Sequence, residues 1–343
     1  MHIFVTGGAG FIGSQFIRDW AEQFPEGRIT NFDKLTYAGN LANLAAVEPN
    51  PNYSFVRGDI CDRNALLEAI PANVDAIVHF AAESHVDRSI TGAAEFVRTN
   101  VLGTQVLLDV ARERGAKRFL HISTDEVGGT MGPEERFFED SKLDPRSPYA
   151  ASKTAAEHLV RAAGATFGMD YVITRTSNNY GPYQFPEKLL PLAICNALSG
   201  LPIPVYGDGL QIRDWVHVAD NSKALQLALL QGKAGETYHI GGGSPQTNID
   251  VLRTLLSMLC CHESLMKRVT DRLGHDRRYA VSYAKIEREL GWRPEIPFAT
   301  GLLSTIHWYR QSQEWVKAVR NGEYLNYYKA QYGLNLPAGH VSR

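Results

Sequence analysis

The sequence predicts an α/β fold, a doubly wound parallel sheet with a smaller, partly interleaved C-terminal domain. Three observations support this prediction. The chain has 343 residues, which is enough for two packed units. Its first half alternates short β-branched runs with helical stretches, a pattern typical of parallel sheets. After residue 177, prolines and glycines interrupt this alternation and indicate a different kind of structure.

Strand and helix signals follow one another in order along the first 176 residues. Apolar and β-branched runs predict the strands, and segments with helical spacing predict the crossover helices between them. The predicted strands cover residues 2–6, 29–33, 54–57, 76–80, 119–123 and 171–176. The predicted helices cover residues 14–23, 65–69, 103–114 and 149–167, the last of which is rich in alanine.

The second half does not return to a regular alternation, although residues 215–230 look like one more strand and helix belonging to the first domain. We therefore assign residues 1–176 plus about 211–234 to the first domain. Residues 177–210 plus 235–333 are assigned to the second domain, and residues 334–343 are expected to be a frayed tail.

Composition excludes several functional classes. The balance of 35 Lys and Arg against 37 Asp and Glu offers no basic surface for nucleic acid. No apolar run approaches the roughly 20 residues of a membrane span, and the first residues read as strand and turn, not as a signal peptide. The four cysteines are too few for a disulfide framework, and they and the 11 histidines lack metal-ligand spacing. We therefore expect a cytoplasmic protein with free thiols, no metal and no nucleic-acid or membrane partner.

A glycine-rich segment, TGGAGFIG at residues 6–13, follows the first predicted strand and opens the first predicted helix. Gly7, Gly10 and Gly13 would allow a tight turn and a close approach of the backbone to a pyrophosphate at the helix N-terminus. The spacing predicts a Rossmann-type dinucleotide site. The alternative is an ordinary tight turn between strand and helix.

Acidic residues after the next two predicted strands bear on the identity of the dinucleotide. Asp33 lies about 20 residues beyond Gly13, where a carboxylate can accept hydrogen bonds from ribose hydroxyls and would repel a 2′-phosphate. NAD is therefore favoured over NADP as the cofactor. Asp59 and Ile60 could flank the adenine, although Asp59 could equally cap a helix.

Tyr149 and Lys153 lie four residues apart at the start of the predicted helix 149–167, so both project from one face. A nearby ammonium and a nicotinamide cation would both favour the phenolate and make the tyrosine a general base. Lys153 could also hold the nicotinamide ribose. Without the glycine motif, such a pair is more typical of a solvated helix face.

Long segments, in order, resemble the extended short-chain dehydrogenase/reductase family and, within it, the dTDP-glucose 4,6-dehydratases. The resemblance covers nearly the whole chain. It is carried by HFAAESHVDRSI at 79–90, STDEV at 123–127, SPYAASK at 147–153, SNNYGPY at 177–183, PEKLLP at 186–191, GDGLQIRDW at 207–215 and DRLGHDRRY at 271–279.

The resemblance implies dehydration of a nucleotide-hexose in three steps. Tyr149 takes the proton of the sugar O4 while NAD+ accepts the C4 hydride, and Thr124 orients the hydroxyl. Glu126 then removes the C5 proton while Asp125 protonates the departing O6 as water. The hydride returns to C6, so the reaction is that of a lyase. Independently of the resemblance, two adjacent carboxylates repel each other, so one of them should be protonated more readily.

The resemblance also implies binding roles for many residues. Those carried over as further NAD contacts are Phe11, Ile12, Lys34, Leu35, Thr36, Phe80, Ala81, Ala82, Ser84, Thr99 and Asn179. Those carried over as nucleotide-sugar contacts, beside the Thr124, Asp125 and Glu126 set, are Ser84, Asn178, Lys188, Leu189, Pro204, Tyr206, Arg213, Asn248, Arg272, His275 and Tyr332. Arginine suits diphosphate oxygens, and Tyr206 could stack on a pyrimidine.

One position departs from the family pattern, because Gly128 stands where the family usually has tyrosine after the Thr-Asp-Glu-Val stretch. This change is either neutral or the mark of a pocket for another hexose or nucleotide. A nucleotide-sugar epimerase or decarboxylase is the alternative enzyme, although neither needs the Asp125 acid to expel water. A catalytically idle NAD-binding protein is the alternative outside enzymes. The resemblance further implies a homodimer that pairs helices near 100–113 and 149–166.

Overall fold

The computed structural model describes residues 1–132, 135–320 and 322–334. The predicted frayed tail therefore lies outside the described residues except for Leu334. A seven-stranded parallel sheet forms the centre of the molecule, with the strand order β3-β2-β1-β4-β5-β6-β10. The order reverses between β1 and β4, which is the doubly wound topology that the sequence predicts.

The sheet strands are bounded as follows: β1 His2–Thr6, β2 Arg28–Asp33, β3 Tyr53–Arg57, β4 Ala76–His79, β5 Phe119–Thr124, β6 Tyr171–Thr176 and β10 Thr237–Ile240. Two small sheets hold the remaining strands: β7 Asn178–Tyr180, β9 Ile212–His217 and β11 Pro245–Thr247 in one, and β8 Ile203–Tyr206 and β12 Met266–Val269 in the other.

The α-helices are α1 Phe11–Gln23, α2 Arg63–Ala69, α3 Val86–Thr91, α4 Ala93–Phe96, α5 Thr104–Glu113, α6 Pro148–Phe167, α7 Leu189–Leu198, α8 Val218–Gln231, α9 Asn248–Met258, α10 Ala284–Leu290, α11 Phe298–Gln311, α12 Gln313–Val319 and α13 Gly322–Tyr332. Short 3-10 turns cover Leu41–Leu44, Asp125–Gly128 and Glu263–Leu265, and a π-helical turn covers Val97–Gly103. No helix in the described ranges is long and apolar enough to cross a membrane.

Helices cover both faces of the large sheet because the strands are apolar on both sides. On one face, Phe16, Ile17 and Trp20 of α1 pack with α8 against the sheet. On the other face, α2, α5 and α6 bury residues such as Leu107 and Val160. Continuous apolar strands of this kind need cover on both faces, and the predicted alternation of strands and helices is confirmed.

The second half differs from the predicted division at two places. Strand β10 at 237–240 lies in the large sheet, where it pairs in parallel with β6, although the prediction gave residues from 235 onward to the second domain. Strand β9 lies in a small sheet between β7 and β11, although the prediction returned residues 211–234 to the first domain. Of that segment, α8 and Val216 of β9 belong to the core that packs on the large sheet. Sheet membership depends on these distant pairings, which local spacing does not reveal.

A buried ion pair joins helix α6 to the sheet. Glu157 is fully buried, and its carboxylate accepts hydrogen bonds from Arg175 Nε at 3.0 Å and Nη2 at 2.8 Å. Arg175 lies on β6, and its Nη1 also donates to the Glu139 carbonyl at 3.2 Å. The fork of one guanidinium therefore holds a helix and a loop to the same strand.

Removing one partner of this ion pair should be costly. We expect Glu157→Ala to lower the free energy of unfolding by about 3–5 kcal/mol, because it leaves the Arg175 guanidinium buried without a counter-charge. Denaturant-induced unfolding followed by circular dichroism measures the change. The double variant Glu157→Leu with Arg175→Met, which buries no charge, should be more stable than Glu157→Ala; a double variant that is no more stable would contradict this account.

Candidate active site

A cavity of about 430 Å³ opens at the carboxyl edge of the large sheet, next to the β1–β4 reversal. Open parallel sheets bind ligands at this edge, because the loops that follow neighbouring strands diverge there. The lining comes from the ends of β1, β2, β4 and β5, from the start of α6 and from segments of the second half. The site is thus built from both parts of the chain.

Backbone packing requires glycine at both ends of the motif at residues 6–13. Gly7 has a φ of +71°, and a Cβ there would lie 2.5 Å from the amide nitrogen of Ala81. A Cβ at Gly13 would lie 2.4 Å from the carbonyl oxygen of Gly7. Helix α1 begins after Gly10, which has no side chain with which to cap it, so no side chain blocks the first amides of the helix at the cavity. This arrangement suits a pyrophosphate.

The Asp33 carboxylate lies at the end of β2 and is almost fully buried. Its Oδ2 accepts a hydrogen bond from the Ala9 amide at 2.9 Å, and its Oδ1 accepts one from the Leu35 amide at 2.8 Å. The side chain therefore ties the glycine-rich turn to the loop after β2. Asp33 also lines the cavity, where a ribose would meet it. Burial raises the pKa of this carboxyl group despite both hydrogen bonds.

Asp59 does not cap the helix that follows it. The cap of helix α2 is Asp62, whose carboxylate accepts from the Asn64 and Ala65 amides, so Asp59 is not the N-cap. The Asp59 carboxylate instead pairs with Lys34 Nζ at 2.9 Å and accepts from the Cys61 amide. Both Lys34 and Asp59 line the cavity.

Tyr149 and Lys153 lie in the first turns of α6, as predicted. Ser147 caps this helix by accepting from the Ala150 amide at 3.1 Å, and Pro148 occupies its first position. Both side chains line the cavity and are buried. Lys153 Nζ donates to the Ile122 carbonyl at 2.7 Å, and burial lowers the pKa of Lys153 to about 8.

The pKa of Tyr149 is displaced upward, against the direction that a Tyr–Lys pair alone predicts. Burial raises the pKa of the phenol, and the Glu126 and Asp125 carboxylates raise it further. A hydrogen bond with Thr124 lowers it in part. A nicotinamide cation beside the ring would lower it as well. For this tyrosine to act as a base, such a cofactor charge would have to offset part of the upward shift of its pKa.

Asp125 and Glu126 follow directly after Thr124, the last residue of β5. Thr124 caps the turn at 125–128 by accepting from the Glu126 amide at 3.3 Å, and its hydroxyl donates to Asp125 Oδ1 at 3.4 Å. Burial and the neighbouring Glu126 carboxylate raise the pKa of Asp125 well above its ordinary value. Burial also raises the pKa of Glu126, but Arg272, Arg213 and Lys188 oppose this shift. The two neighbouring carboxyl groups thus have unequal electrostatic surroundings.

Cationic and aromatic groups of the second half face these carboxylates across the cavity. Arg213 lies over the Tyr279 ring at 4.2 Å and donates to the Asp276 carbonyl at 3.0 Å. Lys188 Nζ donates to the Ser84 carbonyl at 2.8 Å. Arg272 lies over the Tyr206 ring at 5.1 Å. These groups provide positive charge suited to a diphosphate.

The cavity brings together nearly all of the residues named from the sequence. The exception is Leu35, which is absent from the described lining and meets Asp33 through its amide. The predicted residues found in the lining are Gly7, Gly10, Phe11, Ile12, Gly13, Asp33, Lys34, Thr36, Asp59, Ile60, Phe80, Ala81, Ala82, Ser84, Thr99, Thr124, Asp125, Glu126, Tyr149, Lys153, Asn178, Asn179, Lys188, Leu189, Pro204, Tyr206, Arg213, Asn248, Arg272, His275 and Tyr332.

Several further residues that line the cavity were not predicted from the sequence. Glu187 is buried, accepts from the Tyr37 hydroxyl at 3.1 Å and lies 3.5 Å from His85 Nε2. Burial raises the pKa of Glu187 to about 7. Asp276 and Tyr279 also line the cavity. His85 and Glu187 lie within quoted motifs, but their roles depend on contacts with remote residues.

The residues present fit a dinucleotide. A Cβ would fill the turn at Gly7 and Gly13, and buried polar atoms of lining residues have no hydrogen-bond partner in the described protein, including Ser123 Oγ, Ser177 Oγ and Asn179 Oδ1. Buried polar atoms are costly unless bonded, so these atoms indicate a polar ligand. Among the described residues no group of three His, Cys, Asp or Glu side chains could hold a metal ion.

Gly128, the departure from the family pattern, faces away from the cavity. It is absent from the described lining, and a Cβ there would lie 2.6 Å from the ring of Phe137. Phe137 is buried and therefore takes the space beside this turn. The next residue, Gly129, has a φ of +75°, and a Cβ there would lie 2.2 Å from the Asp144 carbonyl oxygen. The Phe137 ring thus occupies the space that a side chain at position 128 would need.

We expect Gly128→Tyr to destabilise the protein, because its side chain and the Phe137 ring cannot occupy the same space. The expected loss is about 1–3 kcal/mol of unfolding free energy, seen as a lower melting temperature. Gly128→Tyr combined with Phe137→Ala should regain part of this loss. A single variant as stable as the parent would show that the Phe137 ring moves aside freely.

Comparison with known proteins supports the interpretation of this cavity as an active site. A family model described as GDP-mannose 4,6 dehydratase matches residues 4–305. The chain is 50% identical over 325 residues to a dTDP-glucose 4,6-dehydratase of Streptomyces niveus, covering 94% of this chain and 96% of that protein. It is 47% identical over 354 residues to one of Escherichia coli, covering 94% and 98%.

Solved structures give the same result. DesIV, a dTDP-glucose 4,6-dehydratase from Streptomyces venezuelae with NAD and dTDP bound, matches with a TM-score of 0.91 at 50% identity, covering 93% of this chain and all of that one. The UDP-glucose 4-epimerase of Thermus thermophilus in complex with NAD matches with a TM-score of 0.84 at 30% identity, covering 91% and 100%. The chain therefore belongs to the NAD-dependent dTDP-glucose 4,6-dehydratase family, within the short-chain dehydrogenase/reductases.

Proposed function

We propose that this chain is a hydro-lyase that converts dTDP-glucose into dTDP-4-keto-6-deoxyglucose and water. The observation that carries the proposal is the pair Asp125 and Glu126, the first buried and the second half-buried, which lie side by side after β5 in one cavity with Tyr149. Removing water from a hexose needs an acid for the departing oxygen and a base for the neighbouring carbon-bound proton. An epimerase or a decarboxylase needs no such acid.

NAD, when bound, supplies the hydride acceptor for C4 and the hydride donor for C6. The residues that would hold it are the glycine turn at 7–13, Asp33, Thr99, Asn179 and Lys153. Lys153 is well placed to bind a ribose hydroxyl. Its side chain lines the cavity, and its ammonium group is fixed there by a hydrogen bond to the Ile122 carbonyl.

The side chains of this protein move the protons. Tyr149 accepts the proton of the O4 hydroxyl, and Thr124 orients that hydroxyl. Glu126 then removes the proton at C5, which the C4 ketone has made acidic, and Asp125 gives its proton to O6 as that oxygen leaves in water. Glu126 finally returns a proton to C5 when C6 is reduced. The proton on Tyr149 passes to solvent, and Asp125 takes one back, so the charges balance.

The upward shift of the Asp125 pKa supports its role as the acid. A protonated aspartic acid can donate to a leaving hydroxyl, whereas an ionised one would repel the developing negative charge. Arg272, Arg213 and Lys188 of the second half lower the pKa of Glu126 and so favour its ionised form. Asp125 therefore suits the role of the acid, and Glu126 suits the role of the base.

The sugar nucleotide is the part of the proposal for which alternatives exist, namely another hexose or another base. Since Gly128 lies against Phe137 and outside the cavity lining, it offers no new space to a substrate. We therefore favour dTDP-glucose. Purified protein should remove one water from dTDP-glucose in preference to UDP-, GDP- and CDP-hexoses. Mass spectrometry of the products measures this loss of water. Water loss from another sugar alone would reassign the substrate, and an isomeric product would indicate an epimerase.

We also propose that the chain forms a homodimer through the π-helical turn, α5 and α6. Val97 and Leu102 are large apolar side chains that are 54% and 51% exposed on this stretch. Exposed apolar groups on one helical surface favour a protein partner. We further propose that the protein acts in the cytoplasm, where its four free cysteines stay reduced.

Variants of the catalytic residues should separate the steps. Tyr149→Phe should lower turnover of dTDP-glucose by about 10²–10⁴-fold and abolish the transient absorbance of reduced cofactor. Asp125→Asn should slow water release but let reduced cofactor accumulate in a single turnover. Tyr171→Phe, a buried tyrosine on β6 outside the cavity lining, is the control. Full turnover by Tyr149→Phe would overturn the mechanism.

The dimer is tested by placing charge on the exposed apolar stretch. We expect Val97→Glu with Leu102→Glu to halve the molecular mass measured by light scattering after gel filtration, because buried unpaired carboxylates oppose association. Leu303→Glu, at an exposed leucine of α11, is the matched control and should leave the mass unchanged. A parent protein that already runs as a monomer would refute the dimer.

A further inference from the structure

Asp87 is a buried acid for which the proposed mechanism has no role. It belongs to the HVDRSI stretch, in the first turn of α3, and only 4% of its surface is exposed. It is absent from the described lining of the cavity. A carboxylate this buried needs bonded partners to offset its desolvation.

Its two carboxylate oxygens each bind one side chain that does line the cavity. Oδ1 accepts a charge-assisted hydrogen bond from Arg272 Nε at 2.5 Å, and Oδ2 accepts one from the Tyr206 hydroxyl at 2.9 Å. Arg272 belongs to the loop after β12 and Tyr206 ends β8. Asp87 thus joins two separate segments of the second half to a helix of the first half.

The partners are also held to each other. The Arg272 guanidinium lies 5.1 Å from the centre of the Tyr206 ring, and the Tyr206 hydroxyl accepts from Gln331 Nε2 at 2.9 Å. Each is followed closely by a glycine with positive φ, Gly207 after Tyr206 and Gly274 near Arg272. The chain turns at both glycines, and the contacts of Asp87 connect the ring and the cation directly through their side chains.

We propose that Asp87 is a positioning residue for the nucleotide. It presents the Tyr206 ring and the Arg272 guanidinium at the spacing required by a pyrimidine nucleoside diphosphate, the ring for the base and the cation for a phosphate, and contacts neither substrate nor cofactor itself. The proposal rests on the proposed function, because it assumes that Tyr206 and Arg272 bind the nucleotide.

The chemistry requires a carboxylate at this position. Arg272 and Tyr206 bind different oxygens of Asp87. An asparagine has the same shape, but an NH2 group replaces one of these oxygens and cannot accept a hydrogen bond from the side chain that faces it. It also leaves the Arg272 guanidinium without its nearest counter-charge; Asp87 raises the pKa of that group, against burial, which lowers it. Asp87→Asn should therefore loosen both side chains without emptying the space.

The test measures binding of dTDP to the NAD-loaded protein by calorimetry, together with kcat and KM for dTDP-glucose. We expect Asp87→Asn to weaken dTDP binding and to raise KM by about 10–100-fold, the range for hydrogen bonds to charged groups, while kcat changes by less than about threefold. Tyr206→Phe, which keeps the ring, should weaken dTDP binding by only a few fold. The effects of the two substitutions should be less than additive in the double variant, because both remove the same contact.

Asp220→Asn is the matched control, since Asp220 is an equally buried carboxylate that accepts from the Glu295 and Ile296 amides and does not line the described cavity. It should lower the melting temperature and leave dTDP affinity unchanged. If Asp87→Asn does not fold, the test is the dTDP affinity of Tyr206→Phe. An affinity equal to that of the parent protein then overturns the proposal. Parental affinity and KM in a folded Asp87→Asn overturn this proposal only, whereas a parent chain that neither binds dTDP nor turns over dTDP-glucose overturns the proposed function as well.

Discussion

The site depends on one constraint, the placement of two adjacent carboxyl groups, Asp125 buried and Glu126 half-buried, in a single cavity. Asp125 and Glu126 lie at the end of β5 because a parallel sheet places strand ends, and the polar turns after them, at one edge. Buried negative charge is costly without nearby cations. Those cations, Arg213, Arg272 and Lys188, all come from the second half of the chain. The second half is therefore needed electrostatically by residues of the first, and not only as a wall of the pocket.

The cofactor side of the cavity follows a different principle, since it is made mostly of backbone. Gly7 and Gly13 allow close backbone contacts that leave no room for a side chain, and Asp33 uses both oxygens to join the turn between them to the loop after β2. One half of the cavity thus depends on the absence of side chains, and the other on charged side chains from remote segments. Two ligands, a dinucleotide on one side of the cavity and a sugar diphosphate on the other, match this division.

Local sequence patterns predicted the sheet, the glycine turn and the Tyr149–Lys153 pair, because each is set within a few residues by periodicity or spacing. The placement of β10, the ring of Phe137 beneath Gly128 and the Asp62 cap were not predicted. Contacts across long separations were also hidden, such as those of Arg272 with Asp87, 185 residues apart, and of Tyr37 with Glu187, 150 apart. These pairings exist only after the chain has folded, and no short motif encodes them.

The same guanidinium groups have two roles at this site. Arg213 and Arg272 hold down the proton affinity of Glu126 and are also the groups expected to meet a diphosphate. A bound diphosphate shares their charge, so we expect Glu126 to become more basic when the nucleotide is in place. The free enzyme would then carry a weak base and the loaded enzyme a stronger one. Proton abstraction would be coupled in this way to the arrival of the sugar that provides the proton.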